Sequence, residues 1–151
     1  MAVILNNPQV EKNFKINEFV CKCGCNSVKY NYLLVKKLQA VREVVGRINI
    51  SSAYRCPKWN KQVGGATGSG HLQGDAADIK SDVNIYKLAR QCYIAGFNRI
   101  GISDQKHTSG KYYLHVGLGT QPSYWVYDSN NKSIKITTQE FIKLINRKEA
   151  F

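Results

Sequence analysis

Two histidines and one aspartate have the residue types of a metal centre. His71 follows a glycine-rich loop, Asp78 lies seven positions later in AADIK, and His115 lies in YYLHVGLG. Two imidazoles and one carboxylate are a ligand set of catalytic zinc, which keeps a fourth position for water and lowers the pKa of that water towards about 7. Spacing alone also allows a cleft histidine beside an ordinary surface aspartate, so both interpretations stay open at this point.

Strand patterns predict where two of these side chains point. In YYLHVGL, alternation places His115 opposite Val116, which can enter the core. In AADIK, the same alternation places Asp78 opposite Ile79, and small neighbours leave space in front of the carboxylate. Gly74 lets the chain fold back after the first histidine. We therefore expect all three side chains to reach one ion in a cleft.

The surrounding sequence predicts an α+β domain. Periodicity and turn residues give this order: an irregular cysteine-containing entry segment over 1–29, a helix over 30–45, a strand over 48–54, a new element at RCPKWN, a glycine-rich loop over 62–71, a strand over 76–81, a helix over 83–95, strands over 97–103 and 112–118, and a helix over 138–148. We expect one domain over 1–151, with a small, mostly antiparallel sheet flanked by helices and the zinc site in a cleft on that sheet.

The five cysteines allow three interpretations. Cys21, Cys23 and Cys25 lie in CKCGC, and Cys56 and Cys92 lie farther along the chain. The three cysteines of CKCGC, completed by Cys56, have the composition of a metal knuckle. Structural zinc, however, usually has two to four residues between paired thiolates. A disulfide between CKCGC and Cys56 would need an oxidising compartment. Reduced, structural cysteines are the third interpretation, and the sequence does not decide among them.

Charge and hydropathy restrict the partners. The formal net charge is +12, which attracts polyanions such as nucleic acid or the anionic polymers of a cell wall. No nucleic-acid-binding motif is present, so we expect no nucleic acid partner. No apolar stretch approaches the roughly 18 residues of a membrane span, and the first residues lack the pattern of a signal peptide. We expect a monomer that is made in the cytoplasm and does not insert into membranes.

A longer string resembles a known family. SSAYRCPKWNKQVGGATGSGHLQGDAADIK, followed by YLHVGL, resembles the zinc D-Ala-D-Ala carboxypeptidase and phage endolysin peptidases, a peptidase M15-like group with the hedgehog/DD-peptidase fold. The resemblance covers roughly residues 14–119, and CKCGC also looks like the entry to phage and prophage members. The shared signature Ser-x-His-x-x-Gly-x-Ala-x-Asp is carried here by Ser69, His71, Gly74, Ala76 and Asp78.

The resemblance implies a role for each matching residue. His71, Asp78 and His115 would hold Zn²⁺. Arg55 would stabilise the oxygen of the scissile carbonyl or grip a substrate carboxylate, because a guanidinium stays charged and donates along two parallel bonds. Ser69 would bind substrate or orient the glycine-rich loop.

One departure from the family pattern concerns the general base. Relatives usually carry an acidic residue or a histidine close to the last zinc ligand, whereas this chain has Tyr113 and Gly117 there. Asp104 is the preferred candidate, because a hairpin could bring it back beside the metal. His107 in the following turn and Asp75 are the alternatives.

Together these features predict a zinc metallopeptidase that hydrolyses peptide bonds in bacterial peptidoglycan. The substrate would be the stem peptides, cut by a D-Ala-D-Ala carboxypeptidase or a cell-wall endopeptidase, and the protein would act at the cell wall as a phage or prophage endolysin. The alternative is a catalytically weak, zinc-stabilised module that binds cell walls, which the departure at the base would allow.

Overall fold

The computed structural model describes residues 8–104 and 112–147. Its strands are β1 (Gln9–Glu11), β2 (Phe14–Lys15), β3 (Ile48–Ser52), β4 (Ala76–Ser81), β5 (Arg99–Asp104), β6 (Tyr112–Gly117), β7 (Ser123–Tyr127) and β8 (Ser133–Ile136). Its helices are α1 (Tyr32–Val45), α2 (Pro57–Gln62), α3 (Ile85–Ala95) and α4 (Thr138–Ile145), with short 3-10 turns at Ile16–Glu18 and Gly70–Gln73. The predicted α+β class is confirmed.

Six strands form one sheet in the order β3-β4-β6-β5-β7-β8, and β1 pairs with β2 in a separate ribbon. Every pair in the large sheet is antiparallel except β5 with β7. Helices α3 and α4 contact the sheet, and α1 packs against α3. No helix in the described ranges is long and apolar enough to cross a membrane.

Strand alternation separates the core from the cleft. Ile79, Ile102, Leu114 and Val116 are buried with the helices in one core cluster. That cluster extends to α4, whose Phe141 ring stacks on a tyrosine of β7 with 4.2 Å between ring centroids. The opposite face of the sheet is therefore free for polar groups, as the strand patterns predict.

Helix boundaries differ from the predictions by a few residues because of capping. Asn31 and Asn84 accept hydrogen bonds from the backbone of the first turns of α1 and α3, so these helices begin at Tyr32 and Ile85. At the start of α4, Thr137 and Glu140 form a capping box. The ribbon β1-β2 and the strands β7 and β8 were not predicted, and the ribbon gives regular structure to part of the entry segment.

Candidate metal centre and cleft

The 3-10 turn after the glycine-rich loop fixes the orientation of His71. Ser69 caps this turn, and its Oγ accepts a hydrogen bond from the His71 backbone N–H at 3.2 Å. His71 Nδ1 lies 2.6 Å from the carbonyl oxygen of Ala53. Because a carbonyl only accepts, Nδ1 carries the proton, and Nε2 presents a lone pair. The resemblance implies two roles for Ser69. Its hydrogen bond with the His71 N–H supports the role in which Ser69 orients the glycine-rich loop.

Adjacent central strands bring Asp78 and His115 together. The two residues are direct partners in the register of β4 and β6, and His115 Nδ1 lies 3.1 Å from Asp78 Oδ1. His71 Nε2 lies 3.3 Å from the same oxygen. Gly74 has a φ of +74°, which lets the chain turn back between the loop and β4. The three predicted ligands thus offer atoms that all lie within 4.8 Å of one another.

The environment of His71 Nε2 tests whether a cation fits. This nitrogen is buried and has no hydrogen-bond partner among the described residues. Its lone pair faces a carboxylate oxygen that also has only lone pairs to offer, an arrangement that is unfavourable unless a cation lies between them. Tetrahedral coordination with zinc–ligand distances of about 2.0–2.2 Å separates neighbouring ligand atoms by roughly 3.3–3.6 Å. The observed separations of 3.1 and 3.3 Å are close to this range.

The second oxygen of Asp78 is held by Arg55. Arg55 Nη2 donates to Asp78 Oδ2 at 3.1 Å, Nε donates to Ser52 Oγ at 3.0 Å, and Nη1 donates to Asn60 Oδ1 at 3.3 Å. The side chains of Arg55 and Asp78 are only 15% and 12% exposed. A Cβ at Gly65 would collide with the Asn60 amide, so the glycine-rich loop must have glycine at this point. The carboxylate is therefore divided, with Oδ1 towards the histidines and Oδ2 towards the guanidinium.

Burial and hydrogen bonding act in opposite directions on the ionisable side chains of the cluster. Burial alone would raise the pKa of Asp78, but hydrogen bonding, led by His115, holds that pKa well below its ordinary value. Burial lowers the pKa of His115, against the opposing effect of Asp78. The two lowered pKa values favour a charged Asp78 carboxylate and a neutral His115 imidazole at pH 7. A divalent cation would add its whole charge to the site, which favours binding of negatively charged oxygen.

The cluster lies at the floor of a cleft of about 700 Å³. Tyr113 and Tyr127 line it with their rings 5.7 Å apart between centroids. Trp125 lines it as well, and its ring lies 5.0 Å from that of His115 between centroids. Gly101 makes this contact possible, because a Cβ there would collide with the indole. Trp125 thus packs against a candidate ligand and remains half-exposed in the cleft.

Arg99 is a cleft residue that the sequence analysis missed. It begins β5 and pairs with Gly117, on the same face of the sheet as the metal cluster. Its Nε is buried and has no hydrogen-bond partner among the described residues. A single arginine in FNRIG gives no sequence signal, since such residues usually lie on the surface. A second guanidinium in the cleft suits substrates that carry a carboxylate.

The structure does not bring the preferred base, Asp104, to the metal cluster. Gly101 is the cross-strand partner of His115, and Asp104 lies three positions farther along β5. An odd offset along a strand places a side chain on the opposite face, which here is the helix face. Asp104 Oδ2 accepts a hydrogen bond from the Tyr86 hydroxyl at 2.8 Å and lines a different cavity. This position does not support the role of general base.

Of the two alternative bases, only Asp75 lies within the part of the chain that the structure describes. Asp75 lines the cleft directly before β4, and its Oδ1 accepts a hydrogen bond from Asn31 Nδ2 at 3.2 Å, towards the beginning of α1. His107 lies outside the described residues. Tyr113 also lines the cleft, and the pKa of its hydroxyl is raised first by burial and then by Tyr127. A phenol in this state donates a hydrogen bond but does not serve as a base at neutral pH.

Comparison with known proteins agrees with this arrangement. A family model described as Peptidase M15 matches residues 12–112, more than half of the chain. The matched range includes Arg55, His71 and Asp78, and it ends before His115. No curated protein matches the chain. Peptidases of the matched family depend on a metal, and the cleft has the residues to hold one. The chain therefore belongs to the peptidase M15 family.

Proposed function

We propose that this protein is a zinc-dependent metallopeptidase that hydrolyses peptide bonds in peptidoglycan stem peptides. His71, Asp78 and His115 would hold the zinc through Nε2, Oδ1 and Nδ1. The observation that carries this proposal is the buried Nε2 of His71, which has no hydrogen-bond partner within the described ranges and faces the Asp78 carboxylate at 3.3 Å. When bound, zinc supplies a Lewis acid and makes a water nucleophilic near neutral pH.

Two side chains of the cleft have donors for the reacting carbonyl. Arg55 uses one N–H on each of its three nitrogens in the contacts described above, which leaves two of the five guanidinium N–H groups for substrate. Tyr113 lines the same cleft, two positions from His115. Donors placed where negative charge develops lower the barrier to peptide hydrolysis. Arg55 also holds Asp78 in position. It therefore has two roles, donating to the reacting carbonyl and positioning a zinc ligand.

Charge supports an anionic wall substrate. Stem peptides carry free carboxylates, and Arg99 lies in the cleft with a buried Nε that has no hydrogen-bond partner in the described part of the chain. The net charge of +12 favours encounter with a wall that bears anionic polymers. We propose that the protein acts there as a monomeric phage or prophage endolysin. Carboxypeptidase and endopeptidase activity differ in whether the substrate ends in a free carboxylate beside the scissile bond.

Metal content and hydrolysis of purified cell walls test the proposal. We expect the wild type to release peptides in a chelator-sensitive manner, and His71→Ala and His115→Ala to lose cleft zinc and activity together. Asp104→Asn is the matched control, because its side chain lies on the helix face, and we expect it to retain activity. Full zinc occupancy and activity in both histidine variants would refute the ligand assignment. Zinc binding without hydrolysis of any wall type would favour the wall-binding module.

Short synthetic peptides separate the two peptidase types. We compare D-Ala-D-Ala peptides with a free carboxylate and with a C-terminal amide. If Arg99 binds the terminal carboxylate, Arg99→Gln should lower kcat/KM for the free acid by roughly 10-fold or more and leave the amide unchanged. Equal effects on both peptides would argue against a carboxypeptidase subsite at Arg99.

A further inference from the structure

Four cysteines outside the cleft converge on one point. Cys21, Cys23 and Cys25 of the entry segment meet Cys56 at the start of α2, with all four sulfur atoms within 4.8 Å of one another. Cys21 and Cys23 have their Sγ atoms 3.4 Å apart, and Cys23 and Cys56 have theirs 3.7 Å apart. These distances exceed the roughly 2.05 Å of a disulfide, and all four thiols are free.

The sulfur separations fit a tetrahedral metal site. With metal–sulfur bonds of about 2.3 Å, tetrahedral zinc places its thiolates roughly 3.8 Å apart. The chain achieves this with a tight turn, since Gly24 has a φ of +89° and Asn26 a φ of +62°. The Cys21 N–H donates to the Ser27 carbonyl at 2.9 Å and closes that turn. Cys21 and Cys25 are separated by three residues, which is within the spacing of structural zinc sites.

Backbone donors point at two of the sulfurs. The Cys56 N–H donates to Cys21 Sγ at 3.3 Å, and the Trp59 N–H donates to Cys56 Sγ at 3.4 Å. Such outer-shell hydrogen bonds orient metal ligands and stabilise negative charge on them. Cys21 is buried, whereas Cys23 and Cys25 are exposed. The group therefore has supported sulfurs on its inner side and an open path for an ion on its outer side.

We propose that Cys21, Cys23, Cys25 and Cys56 bind a second zinc ion through four thiolates. On binding, the four S–H groups release their protons to solvent and four sulfur–zinc bonds form. A site with four protein ligands has no open position and is structural. It fastens the entry segment to the chain directly after Arg55. The proposal stands independently of the proposed peptidase activity.

Zinc stoichiometry is the first test. The full chain is purified in reductant, loaded with zinc, desalted and measured by mass spectrometry of the metal. We expect about two zinc ions per chain for the wild type and about one for His71→Ala. The double variant Cys23→Ser/Cys25→Ser should also hold about one zinc ion. Both substitutions are at exposed cysteines, and the ligands in the cleft are unchanged. Cys92→Ala is the matched control, since Cys92 lies in the core, and it should keep two.

In the second test cobalt replaces zinc, and the absorption spectrum of the wild type reports directly on the ligands of the metal. Four thiolates give intense sulfur-to-cobalt charge-transfer absorption, which a site of two histidines and one aspartate does not. We expect this absorption in the wild type and in His71→Ala, and its loss in Cys23→Ser/Cys25→Ser. The second site would be overturned if the wild type binds cobalt without this absorption. It would also be overturned if the wild type holds only one zinc ion and the double cysteine variant retains it.

Discussion

The contacts of Arg55 make a quantitative prediction about metal affinity. Arg55 binds the oxygen of Asp78 that faces away from the histidines, at 3.1 Å, with both side chains largely buried. Outer-shell partners of this kind typically change metal affinity by about 10–100-fold when removed, which corresponds to roughly 1.4–2.7 kcal/mol. We therefore expect Arg55→Ala to bind cleft zinc about 10–100-fold more weakly than the wild type.

The same substitution should destabilise the zinc-free protein. Arg55→Ala leaves the Asp78 carboxylate without its cation, and breaking a buried pair costs about 3–5 kcal/mol. The side chains are 15% and 12% exposed, so we expect the lower end, about 3 kcal/mol, because water partly replaces the lost partner. Arg55→Lys keeps the charge, but one ammonium cannot reproduce the three-way contact with Ser52, Asn60 and Asp78.

Two measurements separate the positioning role of Arg55 from a direct role on substrate. Zinc affinity is measured by competition with a chromogenic chelator, and hydrolysis is then measured at saturating zinc. If Arg55 also donates to the reacting carbonyl, Arg55→Lys should remain about 100-fold slower at full occupancy. Arg47→Ala is the control, because Arg47 is exposed on the loop between α1 and β3. Zinc affinity within twofold of wild type in Arg55→Ala would refute this reasoning.

Three further predictions concern the cleft. The folded-state pKa values of Asp78 and His115 are both lowered, so the unfolded chain binds more protons than the folded one. The urea midpoint of the zinc-free protein should therefore fall as the pH drops from about 6.5. A midpoint that does not change with pH would contradict this. Tyr113→Phe should lower kcat by roughly 100-fold with zinc retained, if its hydroxyl stabilises the developing charge; wild-type turnover would assign Tyr113 to packing. Gly101→Ala should cost about 1–3 kcal/mol in unfolding free energy, because its methyl group collides with Trp125, and should change the tryptophan fluorescence; an unchanged melting curve and spectrum would contradict the contact.

Local patterns were enough to predict the ligand face of the sheet. The alternation that places His115 opposite Val116, and Asp78 opposite Ile79, depends only on the two-residue period of a strand. The structure has both pairs on opposite faces, with the apolar members in the core. The capping box of Thr137 and Glu140 likewise depends only on residues three positions apart. Such features need no knowledge of distant residues.

The position of Asp104 depended on information that is not local. The sequence indicated a turn between two strands, and a hairpin could bring Asp104 back towards the metal. The register, however, pairs His115 with Gly101, so Asp104 is at an odd offset and faces the helices. Register follows from the packing of whole strands and from the intervening turn, and a shift by one residue reverses every side chain.

The sequence by itself determined the family resemblance, the α+β class and the faces of the strands that carry the candidate ligands. Only the tertiary structure brought Cys56 to CKCGC, 31 positions away from Cys25, and placed Arg99 in the cleft. It also decided that Arg55 holds Asp78. These contacts join segments that are distant in the chain, and their geometry is set by sheet register and by the packing of one shared core, which no local pattern encodes.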